Sequence, residues 1–197
     1  NSEFTDSVSA VKPNVLRYPG GLGSYWNWNT GWFLETPMVD TLIIDSLPNN
    51  WSSLPYIDIR PIHFQNANNI IGSKGIYVLN MITANIDTML SWINNADQQG
   101  VEIKYIELGS EINHDNEYKI LKYPTAGDYA RDCQLYIDTL NYILPDLNFT
   151  LVGGNRNTER AAHWNDSIYT IVDPESFDAL SWHVYLYMKD EHFDYSD

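Results

Sequence analysis

The sequence of 197 residues has one cysteine, few basic residues and no long apolar run. A single thiol, Cys133, excludes an internal disulfide. Without about 18 consecutive apolar residues, no membrane-spanning helix is predicted. Eleven Lys and Arg stand against 26 Asp and Glu, giving a net charge of −15. This balance argues against the clustered basic surface that nucleic acids and anionic membranes require.

The sequence also lacks the usual cofactor motifs. The glycine-rich segments GGLG and VGGN match neither the dinucleotide-binding nor the P-loop pattern. The polar run at residues 114–117 does not have the spacing of metal ligands. No G-x-S-x-G nucleophile elbow occurs, although a Ser-His-Asp triad of another kind stays open. We therefore expect no cofactor and no metal.

Aromatic residues, in contrast, are abundant: seven Trp, fourteen Tyr and six Phe. They indicate either core packing or a surface that stacks on flat, weakly polar faces such as sugar rings. With 44% hydrophobic and 19% charged residues, the composition is globular. At this length we predict one domain over residues 1–197.

Strand and helix patterns alternate along the chain. Strands are predicted at 15–21, 75–82, 101–111, 149–155 and 177–186, and a short one at LIIDS (42–46). Helices are predicted at 3–12, 62–71, 87–98, 125–144 and near 159–172. This alternation indicates βαβ units and a parallel sheet. Because a complete (β/α)8 barrel has eight strands in roughly 250 residues, the chain is either an open sheet or part of a barrel.

One predicted strand ends on a carboxylate. In VEIKYIELGSEIN, a period of two places Glu107, Gly109 and Glu111 on one face and Ile106 and Leu108 on the other. In an α/β barrel, one face packs on the helices and the other faces the barrel interior. Glu111 is therefore expected at the rim where such barrels carry out chemistry, although a salt-bridged strand end is the alternative.

Other predicted strands also end on polar side chains. The first carries Arg17, the fourth ends at Asn155, and the fifth places Ser181, His183 and Tyr185 on one face. The carboxyl edge of a parallel sheet is where ligands bind in α/β folds. Structural roles stay open for each: Arg17 could neutralise an inward carboxylate, and His183 could be a core histidine.

Three segments together resemble the retaining glycoside hydrolases of clan A. They are RYPGG (17–21) followed by WNW (26–28), YIELGSE (105–111), and FDALSWHVY (177–185). These segments look like the second-, fourth- and sixth-strand motifs of the arabinofuranosidase, β-xylosidase, heparanase-like and agarase groups. The resemblance implies a (β/α)8 TIM barrel that is incomplete here, with about strands 2 to 6 present.

The resemblance also implies roles for individual residues. Glu111 would be the general acid/base of a retaining double displacement, with the nucleophile Glu expected beyond the C-terminus of this chain. Arg17 would lie near that nucleophile. The expected substrate-binding residues are Arg17, Trp26, Trp28, Ser110, Asn155, His183 and Tyr185. Of these, Trp26 and Trp28 would form a sugar platform, and Ser110 stands where the family has Asn.

The expected function is therefore a glycoside hydrolase acting on a polysaccharide or oligosaccharide, in a secreted or periplasmic location. One alternative is a non-catalytic carbohydrate-binding protein derived from such a barrel. Another is a subunit completed by a second polypeptide. Since open strand edges pair with other chains, a homo-oligomer or a complementing chain is expected at the barrel edge.

Overall fold

A computed structural model describes residues 2–20, 23–33, 59–154 and 158–183. Its strands are β1 (Val15–Tyr18), β2 (Trp26–Asn27), β3 (Trp32–Phe33), β4 (Lys74–Val78), β5 (Tyr105–Leu108), β6 (Asn148–Val152) and β7 (Ala179–Ser181). Five of them form a parallel sheet in the order β1-β4-β5-β6-β7, and β2 and β3 form a separate antiparallel pair.

One helix precedes the parallel sheet and the others lie between its successive strands. They are α1 (Ser2–Val11), α2 (Pro61–Ile71), α3 (Ile86–Gln98), α4 (Glu117–Lys122), α5 (Ala126–Ile143) and α6 (Trp164–Ile171). A 3-10 turn occupies Gly23–Tyr25. Among the described helices, none has the length and apolar character needed to cross a membrane.

The structure confirms the predicted parallel sheet and its (β/α) architecture, an incomplete barrel. The strands are shorter than predicted because the backbone leaves the sheet early. After β5, Gly109 and Glu111 adopt positive φ angles of 88° and 52°, which are incompatible with a strand. The sequence did not predict α4 or the β2–β3 pair, and LIIDS lies outside the described residues.

Helix α5 packs on the sheet with the face that its apolar spacing predicts. Thr125 and Asp128 form the predicted capping box at its start. The buried positions on this helix are Ala126, Tyr129, Ala130, Cys133, Tyr136, Ile137 and Leu140. Cys133 is a fully buried free thiol, and desolvation raises its pKa.

Tyr129 ties the ends of two neighbouring strands together. Its hydroxyl donates to the Leu108 carbonyl at 2.7 Å and accepts from the Val152 N–H at 2.8 Å. Burial raises the pKa of Tyr129 well above 10, so the hydroxyl keeps the proton it donates. This link fixes the carboxyl edge of the sheet directly below the loop that carries Glu111.

We predict that Tyr129→Phe lowers the free energy of unfolding by about 1–3 kcal/mol, because it leaves two buried backbone groups unpaired. Urea denaturation measures the change. Tyr142→Phe on the same helix is the matched control, since Tyr142 is 91% exposed. Equal losses in the two variants would contradict the assigned role of the Tyr129 hydroxyl.

Candidate active site

The turn after β5 presents Glu111 at the carboxyl edge of the sheet. A Cβ at Gly109 would lie 2.8 Å from Ile112 Cγ1, so the tight turn requires glycine. Glu111 itself has a left-handed φ of 52°, an uncommon backbone state for a residue other than glycine. Such strained positions cluster at functional sites, where the surrounding structure holds them in place.

Glu107 lies below this turn as a buried carboxyl group, 2% exposed. The Nε of Arg17, from β1, donates to Oε2 of Glu107. The Ser181 hydroxyl, from β7, donates to Oε1 at 2.7 Å. Arg17 thus neutralises an inward carboxylate, as the sequence alternative proposed, and the three side chains join three strands across the inner face of the sheet.

Basic side chains surround Glu111. Its Oε1 lies 3.0 Å from His183 Nδ1. Its Oε2 lies 3.3 Å from His114 Nδ1 and 4.0 Å from Lys119 Nζ. Among the described residues, this carboxyl group therefore contacts one ammonium group and two imidazole rings.

His183 links the two carboxyl groups into one cluster. While its Nδ1 contacts Glu111, its Nε2 lies 4.0 Å from Oε1 of Glu107. Arg17, Glu107, His183 and Glu111 therefore form a continuous polar chain. The structure brings together the three side chains on which the sequence argument depended: the guanidinium, the imidazole and the carboxyl group at the strand tip.

Trp26 and Trp28 are buried, at 7% and 2% exposure. The Trp26 indole N–H donates to the Tyr18 hydroxyl at 2.9 Å, and that of Trp28 donates to the Val78 carbonyl at 3.3 Å. Both rings also contact the Tyr18 ring edge-on. This corrects the expected sugar platform: with their N–H groups satisfied inside the fold, the rings pack in the core.

Ser110 is also buried, at 1% exposure. Its backbone N–H donates to the Ser24 hydroxyl at 2.6 Å, and that hydroxyl donates to the Ser110 carbonyl at 3.4 Å. Ser24 thus anchors the turn that precedes Glu111. Two other predicted substrate-binding residues, Asn155 and Tyr185, lie outside the described residues.

Sequence reasoning missed Lys119 and gave His114 no role at this site. Both follow β5 in a segment for which the sequence analysis predicts neither a helix nor a strand. A weak signal was present: Asn116 caps α4 by accepting from the Tyr118 N–H at 3.1 Å, and Glu117 occupies the first turn. Across the described residues, no group of three or more His, Cys, Asp and Glu is arranged to hold a metal ion.

No protein-family model and no curated protein matches the sequence. Solved structures do match. AbfB, a family 51 α-L-arabinofuranosidase from Bifidobacterium longum, is 19% identical with a TM-score of 0.71, over 94% of this chain and 39% of that one. The α-L-arabinofuranosidase from Thermotoga maritima, solved as an arabinose complex, is 20% identical with a TM-score of 0.63, over 87% of this chain and 36% of that one.

A third match is the GH51 arabinofuranosidase from Xanthomonas axonopodis pv. citri, 16% identical with a TM-score of 0.57, over 90% of this chain and 37% of that one. The chain thus spans less than two fifths of the length of each of these proteins. At this identity the likeness shows the fold alone: the chain folds like part of each of these arabinofuranosidases, in agreement with the incomplete (β/α) barrel described above.

Proposed function

We propose that this chain supplies the acid/base side of the active site of a retaining glycoside hydrolase. Glu111 is the general acid/base. The observation that carries the proposal is the polar chain from Arg17 through Glu107 and His183 to Glu111, at the carboxyl edge of a parallel sheet. The fold shared with arabinofuranosidases supports it.

In the proposed reaction, Glu111 acts twice. It first gives its proton to the leaving glycosidic oxygen while a second carboxylate attacks the anomeric carbon. It then takes a proton from the water that releases the covalent sugar intermediate. His183, at 3.0 Å from Oε1, holds the Glu111 side chain in place for both steps.

The second carboxylate is proposed to come from polypeptide outside these 197 residues. Glu107 does not fit the role, because it is 2% exposed and both its oxygens are already engaged by Arg17 and Ser181. Nη2 of Arg17, however, is buried and has no hydrogen-bond partner among the described residues. We propose that this N–H group donates to the carboxylate of the nucleophile. In a retaining enzyme, the carboxyl groups of the nucleophile and of the acid/base lie about 5–5.5 Å apart.

The sheet edges support a completing polypeptide. Within the described residues, β1 and β7 each pair with one neighbouring strand only. Open edges of this kind pair with further strands. We propose that a second copy or additional polypeptide covers them, and sedimentation as a clean monomer with no added chain would count against this. A secreted or periplasmic location remains a prediction.

The test begins with sugar binding. Arabinofuranosyl oligosaccharides are the first ligands to try, since the matching structures are arabinofuranosidases. We expect them to shift the backbone NMR signals of Glu111 and His183 in the 197-residue chain. Glu111→Gln should weaken binding about tenfold, the loss expected when a hydrogen bond to a charged group is removed. Glu117→Gln is the matched control, because Glu117 is an exposed acid on the adjoining helix.

Turnover is measured in parallel with an aryl arabinofuranoside. We expect weak or no hydrolysis by the 197-residue chain, since we propose that the nucleophile belongs to other polypeptide. Robust hydrolysis that Glu111→Gln abolishes would place the nucleophile inside the chain and contradict this part of the proposal. A folded chain that binds none of a panel of plant and marine oligosaccharides would contradict the carbohydrate function itself.

Non-catalytic carbohydrate binding is the second candidate. Ser110 favours it, because this position holds Asn in the family and Ser has no amide donor for the sugar. The coding sequence downstream of Asp197 discriminates the two. A Glu at the end of one further strand supports the enzyme, and a reading frame without one supports the binding protein.

A further inference from the structure

Lys119 is a buried lysine in a short surface helix. It is 7% exposed, whereas Ile120 and Leu121 beside it on α4 are 41% and 69% exposed. Lysines are almost never buried unless an opposite charge accompanies them. The Lys119 ammonium lies 4.0 Å from Oε2 of Glu111, so α4 turns its cation toward the carboxyl edge of the sheet.

His114 approaches the same oxygen from the loop before α4, at 3.3 Å. The other oxygen faces His183, at 3.0 Å. Further away, Glu107 lies 4.0 Å from His183 and is itself paired with Arg17. Among the described charged and titratable groups at this cluster, basic groups contact Glu111 directly and the second carboxyl group lies behind His183.

We propose that Lys119, assisted by His114, is a positioning residue that holds the Glu111 side chain in its ionised form. A cation at this distance favours the charged state of a carboxyl group, and low exposure limits screening by water. The consequence of this ionisation for catalysis rests on the proposed function. The acid step needs a protonated Glu111 and the base step an ionised one, so by lowering the pKa of Glu111 the Lys119 charge would shift the pH range in which both steps proceed to lower pH.

The experiment is an NMR titration of the Glu111 side-chain carboxyl carbon in the intact 197-residue chain, with Glu111→Gln used to assign the signal. In Lys119→Met, which keeps the apolar stem without the charge, we expect the measured pKa of Glu111 to rise by about 1–3. Lys119→Arg keeps the charge and should restore the unmodified value to within a few tenths.

Lys122→Met is the matched control. Lys122 lies on the same helix, but its ammonium pairs with Asp132 Oδ2 at 3.4 Å and its side chain is 41% exposed. We expect this variant to leave the Glu111 titration unchanged. An unchanged Glu111 titration in folded Lys119→Met would overturn the proposal, and so would an equal shift in the Lys122 variant.

A second measurement needs no change at Lys119. In the unmodified chain, the Cε signal of Lys119 should show a step at the pH where Glu111 titrates, and Glu111→Gln should remove that step. Absence of the step overturns the proposal even if Lys119→Met fails to fold. Neither titration uses sugar, so a chain that passes both and binds no carbohydrate refutes the proposed function alone.

Discussion

Replacing Arg17 by Met is expected to lower the free energy of unfolding by about 3 kcal/mol. The loss comes from Glu107, a carboxyl group that is 2% exposed and would lose its cationic partner. Removing one member of a buried ion pair typically costs about 3–5 kcal/mol. The Arg17 side chain is 25% exposed, which places the expected loss at the lower end of that range.

A double-mutant cycle isolates this effect. Glu107→Gln removes the charge, so Arg17→Met should destabilise the Glu107→Gln background much less than the unmodified chain. Denaturant unfolding of the four proteins gives the coupling energy. Arg131→Met is the control, because Arg131 pairs with Asp128 at 2.6 Å but its side chain is 62% exposed. Exposed pairs contribute about 0–1 kcal/mol.

Two outcomes would contradict the assigned pairing. The first is additive losses in the cycle, which would mean that Arg17 stabilises the fold independently of Glu107. The second is a loss in Arg131→Met as large as that in Arg17→Met. A confirmed coupling would show that β1 and β5 are joined through charge as well as through the intervening strand β4.

The site geometry that the sequence could predict follows from two regularities. Side chains alternate along a strand, so Glu107 had to face opposite to Ile106 and Leu108. Parallel strands end at one edge of the sheet, so Arg17, Glu111 and His183 are predicted at that same edge. Both arguments use only local periodicity and strand direction. They therefore hold even when the predicted ends of the strands are wrong by several residues.

The sequence could not predict what surrounds Glu111. Helix α4 has six residues, too few for a hydrophobic period to show, and its only sequence signals are the Asn116 cap and the acidic Glu117 in its first turn. No role for Lys119 could therefore be predicted. The burial of Trp26 and Trp28 could not be predicted from the sequence either, because aromatic content does not tell whether a ring faces the core or the solvent.

Replacing Trp164 by Ala is expected to have the second large effect, a loss of about 3–5 kcal/mol in the free energy of unfolding. Trp164 is fully buried at the start of α6 and stacks on Tyr129 at 5.4 Å. Its indole N–H donates to the Val152 carbonyl at 2.8 Å. The substitution leaves a cavity next to the strand ends and an unpaired carbonyl group.

The effect should extend to the loop after Glu111. The Arg160 guanidinium lies over the Trp164 ring at 5.1 Å. From there it donates to the carbonyl groups at both ends of the loop, Ile112 at 3.2 Å and Tyr123 at 2.7 Å. Without the ring, Arg160 loses the surface that supports it. We therefore expect faster hydrogen exchange across residues 112–123.

Two variants separate these contributions. Trp164→Phe keeps a ring below Arg160 but loses the N–H, so it should cost about 1–3 kcal/mol and leave exchange in the loop nearly unchanged. Tyr169→Ala on the same helix removes a ring that is 55% exposed and should cost the least. If Trp164→Ala destabilises the chain no more than Tyr169→Ala does, Trp164 does not support this side of the barrel. If loop exchange stays slow in Trp164→Ala, Arg160 holds the loop through its carbonyl contacts alone, because those contacts do not involve the indole.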